Sequence, residues 1–172
     1  MLYDRNTLPM EERPGNLRDD GIAGGGQATC VFGMFDESTA RKISMIDGRL
    51  SNQKVPGTIQ FFASGAMGSC CAVFLRCHVM GPGGGILGAV AHLDSNGDVG
   101  AVFLQVLRLH RIHSPRAADT YIVRGPTLDT AQRALNCLVD AGFTNVRRYS
   151  FGARGSAGMD FLGTIFNPDS ED

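Results

Sequence analysis

No run of apolar residues in this chain approaches the ~20 that a membrane helix needs. The longest, around Ile86–Leu93, is short and is broken by Gly88. A membrane-spanning role by helices is therefore not expected. Charge of one sign is also missing. The 172 residues carry 16 Lys and Arg against 17 Asp and Glu, a formal net charge of −1. No basic excess points to nucleic acid and no acidic block points to a solvating tail. The first residues, Met-Leu-Tyr-Asp-Arg-Asn-Thr-Leu, lack the basic start and apolar stretch of a secretory signal. Disulfide spacing is absent too. Cys30, Cys70, Cys71, Cys77 and Cys137 are odd in number, and two are adjacent. That pattern fits reduced thiols in a cytosol better than a disulfide framework.

The length suits one domain with a real core. Residues 1–28 are polar, with Pro9, Pro14 and Gly24-Gly25-Gly26, and read as a flexible arm or cover. Residues 29–167 read as the domain and 168–172 as a frayed acidic tail. Strands are expected at Cys30–Phe35, Thr58–Ala63, Cys71–Leu75, Ile86–Leu93, Thr120–Val123, Asn145–Phe151 and Met159–Phe166. Asp36–Met45 reads as a short helix. Val99, Val102, Phe103, Val106, Leu107 and His110 fall at helical spacing, with Asp98 as N-cap, and their β-branching leaves a strand as the alternative. Leu128, Ala131, Leu135, Leu138 and Val139 form one face of a second helix, with Thr127 before it and Gly142 past its end. Some strands are joined by turns and others by helices. The expected class is α+β, a mixed β-sheet or β-sandwich core flanked by helices.

Chemistry concentrates in Ser64-Gly65-Ala66-Met67-Gly68-Ser69-Cys70-Cys71-Ala72-Val73 and in His92. Cys70 opens an apolar run after a small-residue loop, and His92 ends the next apolar run. A thiol and an imidazole on neighbouring strands make a nucleophile and its base. Backbone N–H groups of the Gly68-Ser69-Cys70 loop are placed to hold an oxyanion. Neighbouring strand residues point to opposite faces, so only one of Cys70 and Cys71 can face His92. Ser64 and Asp94 are rival partners for the far nitrogen of His92.

Other groupings are weaker. Cys70, Cys71, Cys77, His78, His92, His110 and His113 contain enough soft ligands for a zinc-stabilised module. No Cys-x-x-Cys pair is present, and His110 and His113 share a helix face only if the helix continues to His113, against which Pro115 argues. Asp94–Asp98 fails as a calcium loop, with Val99 at the glycine position and Gln105 at the final carboxylate position. Neither glycine triplet is followed by Gly-Lys-Ser/Thr, so no phosphate loop is expected. Arg147, Arg148 and Arg154 read as a solvated face, or as an aid to binding an acidic protein.

The Gly-Ser-Cys-x-Ala-Val run, the hydroxyl residue Ser64 six places before Cys70, and His92 at the end of the next strand resemble the cysteine amidohydrolases related to CheD. This fold group includes protein N-terminal asparagine amidohydrolases and cytotoxic necrotizing factor-type deamidases. Val73–Arg76 and His92-Leu93-Asp94 are more similar to the asparagine amidohydrolase version. The resemblance covers roughly residues 58–167. It implies a CheD-like fold with Cys70 as nucleophile, His92 as base and acid, and Ser64 as the third member. It implies deamidation of an N-terminal Asn, or of Gln, in a peptide or protein, without cofactor or metal. Chemoreceptor-type and toxin-type glutamine deamidases are the alternatives within the group. A non-catalytic binding module is the alternative outside it. A cytoplasmic protein, or an injected effector in a host cytosol, fits either activity. The separation of Cys70 and His92 exceeds the family's, and the excess is expected in Met80–Gly85, making that loop the expected source of a different substrate.

Overall fold

Antiparallel pairing of the chain's two most apolar segments builds the centre of the molecule. In a computed structural model, residues 28–35, 61–67, 71–93, 97–124, 128–150 and 155–166 are described. Strand β3 (Cys71–Val79) and strand β4 (Gly85–Leu93) pair without a register break, from Cys71 opposite Leu93 to Val79 opposite Gly85. Their turn closes through Gly84 N–H donating to Gly81 O at 2.9 Å, with Gly81 and Gly83 at φ +93° and +74°. Glycine takes those angles without a Cβ clash.

Strand β1 (Ala28–Met34) pairs antiparallel with β4. Strand β5 (Ala118–Arg124) pairs antiparallel with β3, and strand β6 (Asn145–Ser150) lies parallel to β5. The result is a mixed five-stranded sheet in the order β1-β4-β3-β5-β6. Strands β2 (Phe61–Met67), β7 (Gly155–Asp160) and β8 (Ile165–Phe166) form a separate three-stranded sheet in the order β2-β7-β8. The class is α+β, as expected, with both a mixed sheet and a second sheet packed against it.

Helix α1 (Val99–Leu109) starts as the sequence predicts, with Asp98 Oδ1 accepting from Ala101 N–H at 3.0 Å. Its last turn closes by Ile112 N–H to Leu107 O (2.9 Å) and Arg111 N–H to Arg108 O (3.0 Å). This double bond pattern needs a left-handed residue, and Arg111 fills it at φ +58°. Helix α2 (Leu128–Asp140) ends the same way with the residue type the motif prefers. Phe143 N–H reaches Leu138 O, Gly142 N–H reaches Val139 O, and Gly142 has φ +97°. The two helices approach closely at Gly100, where a Cβ would fall 2.3 Å from Cys137 O.

Alternation along the strands divides the core in two. Cys71, Val73, Leu75, Leu87, Ala89, Ala91 and Leu93 face the helices, joined by Val102, Phe103, Val106, Leu138 and Phe143. Ala72, Phe74, Ile86 and Val90 face the other way, toward Ala157, Met159 and Phe161 of the second sheet and its turn.

Two expectations are corrected. Ser64–Met67 is strand, not loop: it completes β2, which pairs with β7 from Phe61–Asp160 to Met67–Gly155. The register shifts between Ala63 and Ala66, across Gly65, the residue type that often marks a strand irregularity. Met159–Phe166 is not one strand but the end of β7, a turn, and β8. Buried Asp160 stops β7, its Oδ1 accepting from Leu162 N–H and Thr164 N–H at 3.0 Å each. Gly163 then turns the chain at φ +80°. The expected arm (1–28, of which only Ala28 is described), the helix Asp36–Met45, Thr58–Gln60, the cap Thr127 and the tail 168–172 lie outside the described residues.

Candidate functional site

His92 is the one expected catalytic side chain among the described residues. It sits one residue before the end of β4, opposite Ala72 on β3 and Thr29 on β1. Strand alternation puts it with Val90 and Ala72, on the face turned away from the helices. Val90 and Ala72 are buried, whereas His92 is half-buried. Its small neighbour Ala72 leaves room that Phe74, opposite Val90, does not. The row through His92 continues across the sheet as Ala72, Val123 and Tyr149.

Strand β2 packs across β3 and β4 on this same face. Ser64 falls on β2 within the register shift, and its side chain lies outside the described residues. Cys70, Gly68, Ser69 and Asp94 also lie outside them. Cys70 immediately precedes β3 and is two residues before Ala72, the register partner of His92.

The described thiols belong to the other face. Cys30, Cys71 and Cys77 are buried in the helix-facing core. Burial pushes the Cys30 thiol well above the ordinary thiol range. Burial also raises Cys77, with Asp119 adding and Arg76 opposing. Cys77 Sγ lies 3.5 Å from Ala117 O, a weak donor bond. Half-buried Cys137 on α2 is raised by burial and by Asp98. These four behave as packing residues rather than nucleophiles.

The remaining histidines do not gather. α1 ends at Leu109, so His110 and His113 do not share a helix face. His110 Nδ1 donates to Val106 O at 3.1 Å, and its ring meets Phe32 edge-on with centroids 6.2 Å apart. His78 is exposed on β3, and His113 is exposed in the connection beyond α1. Among the described residues no three His, Cys, Asp or Glu side chains group as metal ligands. No helix among them is long and apolar enough to cross a membrane.

Met80–Gly84 is the turn between β3 and β4, and Gly85 opens β4. His92 and Gly85 are at opposite ends of β4, roughly 23 Å apart at the rise of a strand. The β3–β4 register runs unbroken between those ends, and the turn is exposed at Met80 (88%).

One polar cluster carries no sequence motif. Arg76 and Asp119 are cross-strand partners, with Nη1 and Oδ2 3.9 Å apart, and Arg76 Nε donates to Phe161 O at 2.7 Å. Gly163 packs so closely on Tyr121 that a Cβ would lie 2.6 Å from its hydroxyl. Burial raises the Tyr121 phenol, with Asp119 adding to the effect. The cluster clamps the β7–β8 turn to the five-stranded sheet. The only sequence signal is a lone arginine inside the apolar run Cys71–Cys77.

No protein-family model matches the chain, and no curated protein or solved structure matches it.

Proposed function

We propose that the chain is a cysteine-dependent amidohydrolase with a CheD-like arrangement, deamidating an Asn or Gln side chain of a peptide or protein. The observation that carries the reading is the register of Ala72 with His92. Cys70 has the sequence parity of Ala72, whereas Cys71 takes the helix face, where it is buried. The other described thiols of the sheet, Cys30 and Cys77, also face the helices. Of the five cysteines, Cys70 is thus the one whose position in sequence suits His92.

In this reading His92 takes the Cys70 thiol proton as sulfur attacks the amide carbon. N–H groups of the Gly68–Cys70 segment hold the oxyanion. His92 returns the proton to nitrogen, the C–N bond breaks and ammonia leaves. Water then attacks the thioester, giving up a proton to His92. The C–S bond breaks, the thiol is restored and the amide has become a carboxylate. His92 acts as base, acid and base again. Ser64 orients its ring.

Intact-mass spectrometry of peptides with an N-terminal Asn or an internal Gln tests the reaction. Wild type adds about one mass unit by exchanging NH2 for OH, and Cys70→Ser does not. No mass gain on either peptide class, or an equal gain with Cys70→Ser, sinks the reading.

A further inference from the structure

The outer strand β6 reads Asn-Val-Arg-Arg-Tyr-Ser, and among the described residues no strand pairs with its outer side. Its backbone groups on that side are a template for another strand. Arg147 and Arg148 are both exposed, and neither forms an ion pair among the described residues. Alternation sends them to opposite faces. Arg147 pairs in register with Tyr121 and lies over its ring, 6.0 Å from the centroid. Arg148 pairs with Ile122 on the helix side. Half-buried Tyr149 shares the face of Arg147, with the Tyr121 and Tyr149 rings 6.3 Å apart. The edge therefore presents backbone that no described strand pairs, a cation on each side and the half-buried ring of Tyr149.

We propose that the outer edge of β6 takes an extended acidic segment of the protein substrate as an added strand; its role as substrate rests on the deamidase reading. Main-chain bonds hold an incoming strand, and side-chain pockets on alternate faces select it. Two neighbouring acidic residues suit this edge, one meeting Arg147 and the next Arg148, as charge-assisted hydrogen bonds. A strand added there runs four strand spacings from β4, roughly 19 Å. About six extended residues bridge that distance to the reacting amide. The site is thus a docking edge apart from the reacting centre.

Fluorescence anisotropy with the whole chain tests this using the labelled hexapeptide Thr-Val-Glu-Glu-Val-Thr and its counterpart Thr-Val-Lys-Lys-Val-Thr. The acidic peptide binds, binding weakens with salt, and the lysine peptide does not bind. Arg148→Glu alone weakens binding about fivefold, and adding Arg147→Glu weakens it more than tenfold. Melting curves show that both variants fold. Hydrogen exchange of residues 145–150 slows on adding the acidic peptide, which surface ion pairing alone does not produce. Equal binding of both peptides, or unchanged exchange in β6, overturns the proposal. So does protection of the outward-facing β6 amides, those not bonded to β5, that is already present in the peptide-free chain or rises with chain concentration, since the edge is then held by the chain itself or by a second copy. The assay needs no turnover. A chain that binds the acidic peptide but deamidates nothing keeps the docking edge and loses the enzyme.

Discussion

The two faces of the five-stranded sheet carry different kinds of residue. The helix side is aliphatic, aromatic and thiol, and the buried hydroxyl of Thr120 on β5 donates to Asn145 O at 3.2 Å. The other side mixes Phe74, Val90 and Met159 with Arg76, Asp119, Tyr121 and His92. Asp160 is buried in the hairpin docked there. Burying charge is costly unless it is bonded, so the second face keeps its polar groups paired or half-exposed. One face holds the sheet together, and the other has room for chemistry.

Paired substitutions put the sharpest strain on that contrast. His92→Ala is expected to lower deamidation about 10²–10⁴-fold, while melting moves by less than about 4 °C. Phe103→Ala, on the fully buried helix side, is expected to cost about 3–5 kcal/mol of stability in denaturant titrations. Turnover per folded molecule stays unchanged. Reversed outcomes would abolish the division of labour.

The thiols give a smaller, pH-dependent effect. Cys30 and Cys77 are held neutral by burial, above the ordinary thiol value of 9.0. Their contribution is complete below that value. It is lost as pH rises past it, because the unfolded chain gives up protons that the folded chain keeps. Stability should fall above about pH 9, at most about 1.4 kcal/mol per pH unit for each such thiol. Melting at pH 8 and pH 10 measures the slope, and Cys30→Val should flatten it. An unchanged slope in that variant would remove Cys30 from the account. The smallest effect runs in the favourable direction. Arg111→Gly relieves a left-handed arginine at the end of α1 and should stabilise by about 0.5–1 kcal/mol, a rise of a few degrees in melting temperature.

Features set by neighbours in sequence were legible. Asp98 capping α1, Gly142 ending α2, and the apolar run of β4 each follow from a handful of adjacent residues. Features set by distant partners were not. Ser64-Gly65-Ala66-Met67 has a loop's composition and becomes strand because β7 supplies its backbone partners from the far end of the chain. The Met159–Phe166 hairpin depends on the Asp160 carboxylate folding back on its own turn. Arg111 gives no glycine signal at its left-handed position. Of the site, His92 was legible from its place at the end of an apolar strand. The remoteness of Met80–Gly85 was not, since it depends on how far the β3–β4 register runs.

The union of β2 with β7 also sets an order of events. Every pair in the five-stranded sheet is complete once β6 exists, but β2 finds its sheet partner only when β7 has been made. Closing so long a loop is slow compared with forming helices and hairpins. During synthesis the helix-backed sheet can assemble first, with the His92 face still uncovered. The second sheet is then the last layer to arrive, and chain growth itself delays completion of the surface on which catalysis is proposed.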